Sequence, residues 1–198
     1  MPARGKARVP SEIELKRLFG VTRAGAHASR NAAMLAMSYR LGLRAKEIAA
    51  LAVRDVLDEQ GRVREECDLS AAMTKGGRPR VAYLTNPVVK SALKAYLDDR
   101  RGKEGIQFSA AAPLFASQKG GAFTPNTLQQ LLHRLHERAG IVGGRSHSGR
   151  RWFATELISK GVDIKSVSVL MGHSSVAMTA QYAEDNPQRL RRIAAELG

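Results

Sequence analysis

A helical pattern that is interrupted once, by two short segments of strand-like alternation, constrains the fold of this chain more than any other feature. Apolar residues recur at helical spacing before Val56 and again after Leu84. Between them, "VREECDLS" and "PRVAYLT" alternate with period two, and "MTKGG" supplies a glycine-rich turn. The pattern predicts a mostly α, α+β fold with a small antiparallel β-sheet.

Capping and terminating residues delimit the predicted helices. Ser11 precedes the first helix and Gly42 ends the second, after which "RAKEIAAL" forms a short helix. Asn86 and Thr124 each stand directly before a proline, an arrangement that favours the start of a helix. Gly140 ends the helix that begins at Thr124. The segments "SGRRWFATELISKG", "DIKSVSVLMG" and "VAMTAQYAED" are predicted to follow as three short helices, and the amphipathic segment "PQRLRRIAAEL" closes the chain.

The chain of 198 residues is expected to form one domain. Residues 1–10 are interpreted as a basic flexible arm, and residues 11–198 as the domain itself. The Gly-, Ala- and Ser-rich stretch 101–124 is the only plausible linker, but neither side of it has the pattern of an independent core.

The formal charge of +14 indicates a polyanionic partner. Lysine and arginine side chains neutralise phosphates and release condensed counterions, so nucleic acid is the leading partner class and an anionic membrane surface the second. Solubility alone is the alternative explanation. The single cysteine, Cys67, fits a reducing cytosol and a small buried side chain. No apolar run reaches a membrane-spanning length and no signal peptide is present, so we expect a cytoplasmic protein.

Four segments contain the side chains that cleavage of a phosphodiester without metal would need. The phosphate oxygens need a cationic cradle, for which the planar arginine side chain is well suited. A tyrosine nucleophile has a pKa of about 10 and must lose a proton, while the departing sugar oxygen must gain one. The segments are "YRLGLRAKEIAAL", "TKGGRPR", "HSGRRWFATEL" and "LMGHSSVAMTAQYAE".

In this order, the four segments resemble the tyrosine site-specific recombinases, the phage integrase family, over about residues 10–186. The resemblance implies the helical catalytic domain of that family. It also implies that Arg44 and Arg150 hold the scissile phosphate and that Glu47 supports Arg44. His147, three residues before Arg150, would accept the tyrosine proton or bind the phosphate, and His173 would donate a further hydrogen bond.

The resemblance further implies that Tyr182 attacks phosphorus and forms a covalent 3′-phosphotyrosine. Lys75, in the glycine-rich turn, would protonate the leaving 5′ oxygen. Because the bond energy stays in the protein–DNA linkage, rejoining would need neither ATP nor metal, and no cofactor is expected. The partner would be double-stranded DNA, with a homotetramer on synapsed sites and a monomer as one option for the free protein. Further DNA contacts are expected from other basic side chains: Arg78, Arg80, Arg145 and Arg151.

The sequence departs from the family pattern at two places. Gly149 stands where the family more often has an apolar residue, and the adjacent Arg151 competes with Arg150 for the role of second arginine. Spacing favours Arg150. The family's N-terminal DNA-clamping domain has no counterpart, so we expect either a naturally short form or a catalytic fragment.

Each residue also has an ordinary explanation. Arg44 and Glu47 could be a surface ion pair, the basic turn at 74–80 a solvated loop, and Tyr182 a half-buried side chain. His133 and His136 are three residues apart, as in some metal sites, but a solvated helix face is the favoured interpretation. At the level of function, a non-catalytic DNA-binding accessory factor derived from a recombinase is the main alternative, and an RNA-binding protein is the third.

Overall fold

The computed structural model describes residues 7–74, 76–105, 108–118 and 120–184, together with residues 191, 194 and 195. These residues confirm a mostly helical fold with one small sheet. In chain order, the elements are α1 (Glu12–Arg23), α2 (Ala28–Arg40), α3 (Ala45–Ala50), α4 (Val53–Val56), β1 (Glu66–Leu69), β2 (Arg80–Tyr83), α5 (Pro87–Glu104), α6 (Pro125–Arg138), α7 (Ser148–Ser159), α8 (Ile164–Met171) and α9 (Ala177–Glu184).

Helix starts follow from local hydrogen bonds. The Ser11 hydroxyl accepts the Glu14 N–H at 3.3 Å, and the Glu14 carboxylate accepts the Ser11 N–H at 2.9 Å, which forms a capping box. The side chains of Asn86 and Thr124 likewise accept backbone N–H groups from the first turns of α5 and α6. These contacts confirm the predicted starts of three helices.

The two strands form an antiparallel hairpin, as predicted. Cys67 lies opposite Ala82, and Leu69 lies opposite Arg80. Cys67, Leu69 and Ala82 are buried, so this face of the hairpin packs on the core. Cys67 is the small buried side chain that we expected, and burial raises the pKa of its thiol to about 12.

Two clusters of buried apolar residues organise the described chain. The larger cluster draws on α1 to α6, on the hairpin and on Trp152 of α7. At its centre, α2 packs against α1, α5 and α7. The smaller cluster consists of Ala154, Ile158, Val167 and Met171 from α7 and α8, with Tyr182 of α9 packed against it. Helix α7 therefore contributes to both clusters.

The stretch 101–124 is part of the folded body. Helix α5 continues to Glu104, and Leu114 and Phe115 are buried in the larger cluster. The Leu114 N–H donates to the Leu51 carbonyl at 2.7 Å, which anchors the stretch beside the end of α3. Apolar residues on both sides of the stretch share this cluster, so the stretch does not separate two cores.

Residues 7–10, which were expected to belong to a flexible basic arm, contact the domain. The Arg8 N–H donates to the Gly143 carbonyl at 3.3 Å, and the Arg8 guanidinium pairs with Glu14 at 2.9 Å. Val9 packs against the larger cluster. Residues 1–6 lie outside the described part. Among the helices of the described residues, none has the length and apolar character needed to cross a membrane.

Candidate active site

Arg44 and Glu47 form a buried ion pair at the start of α3. The Arg44 N–H donates to the Glu47 carboxylate at 2.7 Å, and the Arg44 guanidinium donates to it at 2.9 Å. The Glu47 side chain is fully buried, whereas that of Arg44 is 14% exposed. Burial acts to raise the pKa of Glu47, but the charge and hydrogen bond of Arg80 outweigh burial and lower it. The surface ion pair considered above is therefore not what the structure shows.

Arg80 occupies a different place from the one expected for a DNA contact. Its Nη2 pairs with Glu47 Oε2 at 2.8 Å, and its Nη1 donates to the Leu170 carbonyl at 2.8 Å. The side chain is only 8% exposed. Because Arg80 lies on the core-facing side of β2, its guanidinium connects the hairpin to α3 and to the end of α8. The structure thus gives Arg80 an internal, supporting position.

The turn after α8 depends on a glycine next to Arg80. Gly172 has φ of 58°, in the left-handed region, and a Cβ at this position would collide with Cδ of Arg80. The next residue is His173. The side chain of Arg80 and the backbone of Gly172 together determine the path by which the chain leaves α8, and therefore the position of His173.

Arg150 is the buried arginine of α7. Its Nη1 donates to the Gly42 carbonyl at 2.6 Å and its Nη2 to the Met171 carbonyl, and only 3% of the residue is exposed. Burial and, after it, the charge of Arg44 lower the pKa of Arg150 to about 9, which places the two guanidinium groups in one electrostatic neighbourhood. These two bonds engage two of its five N–H groups.

Gly149 permits the close approach that brings Arg150 inward. A Cβ at Gly149 would collide with the Ser38 hydroxyl and would lie 2.9 Å from Cδ2 of Tyr39, both on α2. The larger residue that the family more often has here could not be accommodated without moving α7. The departure from the family pattern therefore has a physical reason in the packing of α7 on α2.

Tyr182 of α9 lies between two side chains of the site. Its ring stacks on that of His173 with centroids 6.1 Å apart and an interplanar angle of 15°. The Arg151 guanidinium lies 5.5 Å from the Tyr182 ring centroid, within range of a cation–π contact. Burial, together with the charges of Arg150 and Arg44, lowers the pKa of His173 to about 4, so this imidazole is neutral at pH 7.

A pocket of about 410 Å³ opens beside these groups. Tyr182, Arg150, Arg151 and His147 all line it. The pocket thus brings together side chains from α7 and α9. Its lining contains a phenol, an imidazole and three guanidinium groups, the third from Arg145.

Comparison with known sequences assigns the family. The profile of the phage integrase family matches residues 9–189. The chain belongs to the phage integrase family. Among its relatives, "Tyrosine recombinase XerC" of Pelobacter propionicus is 31% identical over 165 residues, which cover 83% of this chain and 50% of the relative. "Tyrosine recombinase XerD" of Mycobacterium leprae is 36% identical over 184 residues, covering 90% and 56%. The chain spans about half the length of these curated relatives.

Solved structures agree with this assignment. The crystal structure of XerA recombinase superposes with a TM-score of 0.76 at 26% identity, covering 99% of this chain and 65% of that one. XerH recombinase bound to a palindromic difH substrate, in a post-cleavage complex, gives a TM-score of 0.72 at 25% identity, covering 96% and 53%. The phage integrase fold therefore accounts for nearly the whole chain.

The remaining residues predicted for the integrase site have different positions. His147 is exposed at the N-terminal cap position of α7. Arg78 and Arg145 are exposed, and the Arg145 N–H donates to the Ser148 hydroxyl at 2.9 Å. Lys75 lies outside the described residues, as does most of the final amphipathic segment. The geometry thus joins Arg44, Arg150, His173 and Tyr182, with His147 and Arg151 beside them.

His136 was expected on a solvated helix face, and this prediction was wrong. His136 is 1% exposed, its Nδ1 lies 2.6 Å from the Leu132 carbonyl, and its Nε2 lies 2.7 Å from the Tyr39 hydroxyl. Because the carbonyl can only accept, Nδ1 carries the proton and Nε2 accepts from Tyr39. His133 is exposed, as expected. Within the described part of the chain, no three His, Cys, Asp or Glu side chains form a metal-binding group.

Two residues of the site were missed or misassigned from sequence. Thr179, fully buried, has its hydroxyl 2.7 Å from Nδ1 of His173 and was not singled out. Arg80 was assigned to DNA, although the strand alternation contained a signal: Arg80 has the same phase as Ala82 and therefore faces the core. No comparable signal exists for Thr179, because its contact forms across the turn between α8 and α9.

Proposed function

We propose that this chain is the catalytic domain of a site-specific DNA recombinase or integrase that cleaves and rejoins double-stranded DNA through Tyr182. One observation supports this most strongly: Tyr182 stacks on His173 and lines the same pocket as Arg150. The charge of Arg44 acts on Arg150 and contributes to lowering its pKa. A phenol beside two converging guanidinium groups suits attack on a phosphate.

In the proposed reaction, Arg44 and Arg150 hold the two non-bridging oxygens of the scissile phosphate. Arginine presents paired N–H groups that match phosphate geometry, and a buried cradle strengthens each contact by excluding water. Glu47 fixes Arg44 through two hydrogen bonds, and the carbonyls of Gly42 and Met171 fix Arg150. The cradle is therefore formed before DNA arrives, and its positions cost no reorganisation during the reaction.

The nucleophile must lose its proton. A phenol of ordinary pKa is protonated at pH 7, and nearby positive charge favours the phenolate. Arg151 contacts the ring of Tyr182, and His147 stands at the same pocket as the acceptor of the proton. Attack of the phenolate on phosphorus forms the phosphotyrosine bond and breaks the bond to the 5′ oxygen. Lys75 supplies the proton that this oxygen gains, and reversal of the same steps rejoins the strand.

Binding of DNA is proposed to depend mainly on phosphate contacts from exposed basic residues. Arg78 and Arg145 are exposed, and Arg151 lines the pocket. Helix α6, which leaves Gln129 and Arg134 exposed, is the candidate for the major groove. Among structural neighbours, XerH is bound to its difH substrate. We further propose a homotetramer on paired sites, a cytoplasmic location in contact with DNA, and a domain that corresponds to residues 11–198.

Covalent trapping tests the proposal. The probes are nicked, end-labelled duplexes that tile the DNA flanking the gene, since a nick near the cleavage point lets the small product leave and traps the adduct. We expect a detergent-resistant protein–DNA band with the native chain. Tyr182→Phe should abolish the band, and Tyr83→Phe, which alters a tyrosine that is 46% exposed on β2, should retain it.

Three outcomes would overturn the proposal. A band that persists in Tyr182→Phe would assign the nucleophile elsewhere. Duplex binding without any band across the tiles would indicate the non-catalytic accessory factor. A preference for RNA over duplex DNA at matched salt would indicate the RNA-binding protein.

A further inference from the structure

Thr179 is a buried polar residue that the mechanism above does not use. It lies on α9, three residues before Tyr182, and its side chain is fully buried. Its hydroxyl is 2.7 Å from Nδ1 of His173. One short hydrogen bond therefore joins the helix of the nucleophile to the imidazole that stacks on that nucleophile.

The direction of this hydrogen bond follows from the hydroxyl proton. Within the described residues, His173 Nδ1 is the hydrogen-bond partner of the Thr179 side chain. If Nδ1 carried a proton and donated it to Thr179, the hydroxyl proton would itself be buried with no acceptor among these residues. Buried donors are almost always satisfied, because leaving one unpaired destabilises the fold. The hydroxyl therefore donates, and Nδ1 accepts.

We propose that Thr179 is a positioning residue that holds His173 as the neutral tautomer with its proton on Nε2. The proposal rests on the proposed function, together with the hydrogen bond that the family resemblance implies His173 donates, and it explains which nitrogen donates that bond. With Nδ1 occupied as an acceptor, Nε2 carries the only imidazole proton and points away from Thr179, since the two nitrogens lie on opposite sides of the ring.

The same hydrogen bond sets the geometry of the nucleophile. Thr179 and Tyr182 are separated by about one helical turn, so they share one face of α9. Fixing the His173 ring to Thr179 fixes the plane on which the Tyr182 ring stacks. One side chain thus holds the donor, His173, and the nucleophile, Tyr182, in fixed relative positions. A protonated His173 would break the arrangement, because its Nδ1 would carry a proton and could not accept from Thr179. The lowered pKa of His173 is in keeping with this.

Two substitutions separate the hydroxyl from the shape of the side chain. Thr179→Val keeps the branched shape and removes the hydroxyl, and Thr179→Ser keeps the hydroxyl. Gln181→Ala, at an exposed position of α9, is the matched control. Each chain is labelled with ¹⁵N-histidine, and long-range ¹H–¹⁵N correlation reports which His173 nitrogen carries the proton. The rate of adduct formation on the trapping duplex is measured in parallel.

We expect the native chain, Thr179→Ser and Gln181→Ala to show the proton on Nε2 and similar adduct rates. In Thr179→Val, the nitrogen signals should shift towards a mixture of tautomers and the rate should fall about tenfold, the effect of losing one hydrogen bond. A proton on Nδ1 in the native chain would overturn the proposal, as would Thr179→Val with native signals and rate. If no chain forms an adduct, the proposed function fails, while the tautomer in the native chain still tests Thr179.

Discussion

The arginine side and the tyrosine side of the site are supported by very different amounts of core. Arg44 and Glu47 stand at the start of α3, whose apolar residues belong to the larger cluster. Tyr182 stands on α9, which packs against the smaller cluster of four buried residues. On the tyrosine side, a hydrogen bond, a ring stack and a cation–π contact supplement this limited burial.

This difference indicates that the arginine side of the site is held more rigidly than the tyrosine side. Segments with few buried apolar contacts open at lower free energy than the core of a protein. The proposed phosphate cradle therefore rests on the more extensively buried part of the molecule. Tyr182 is held through contacts that can be broken and remade without unfolding the rest, which suits its proposed role in forming and releasing a covalent bond with DNA.

Neutralising Glu47 is expected to have the largest effect, because it breaks the arginine side from within the core. Glu47→Gln leaves Arg80 and Arg44 without their buried carboxylate, and breaking a buried ion pair costs about 3–5 kcal/mol. Urea unfolding should show this loss in the free energy of unfolding. The exposed Glu59→Gln should change it by no more than about 0.5 kcal/mol. Equal unfolding midpoints for the two variants would show that the ion pair does not support the cradle.

The next effect concerns α7, the helix that joins the two sides. Gly149→Ala should lower the free energy of unfolding by about 1–3 kcal/mol, because the new Cβ collides with α2. Gly102→Ala, in α5 with open space around it, should raise that free energy by about 0.5–1 kcal/mol through helix propensity. Thermal unfolding of both variants measures the difference. Changes of the same sign would contradict the close packing of α7 on α2.

The smallest effect is a pH dependence that separates the two sides. Burial lowers the pKa of His136 in the larger cluster, and lowers the pKa of His173 to about 4 on the tyrosine side. The unfolded chain binds more protons below its histidine pKa of about 6.5, so stability is lost as pH falls below that value, by at most about 2 kcal/mol per histidine at pH 5.

Comparing urea unfolding at pH 7.5 and pH 5 measures this loss. His136→Gln should reduce the pH dependence of the midpoint, whereas the exposed His133→Gln should leave it unchanged. If the tyrosine side opens separately, protonation of His173 should instead appear as lower hydrogen-exchange protection factors in α9 at pH 5 than at pH 7.5. An unchanged pH slope in His136→Gln would mean that the buried histidine does not govern acid stability.

Signals that lie within a few residues of each other could be interpreted from the sequence. The caps at Ser11, Asn86 and Thr124 and the hairpin were predicted because capping and turn chemistry are local. Helix α4 was not predicted, because its four residues are too few to show a helical period. The order of the site motifs predicted which residues would converge, and the geometry brings four of them together.

Contacts between distant segments were not accessible in this way. The hydrogen bond of His136 depends on Tyr39, 97 residues earlier, although its helical phase, shared with Leu128 and Leu132, was a local signal of burial that His133 lacks. Leu114 and Phe115 lie within the Gly-, Ala- and Ser-rich stretch 101–124, which has the composition of a linker, yet they complete the core. In each case the partner is fixed by how the helices pack, which a linear pattern does not contain.

The surroundings of Glu47 have one more consequence. Arg44, Arg80 and Arg150 all act on this single carboxylate, so three positive charges are balanced locally by one negative charge. Folding therefore brings these positive charges together at an electrostatic cost, and an anion that binds beside them reduces that cost. By mass action, an anion that binds these arginines in the folded state also raises the free energy of unfolding. Anion binding at the site and the stability of the domain are then linked by the same equilibrium.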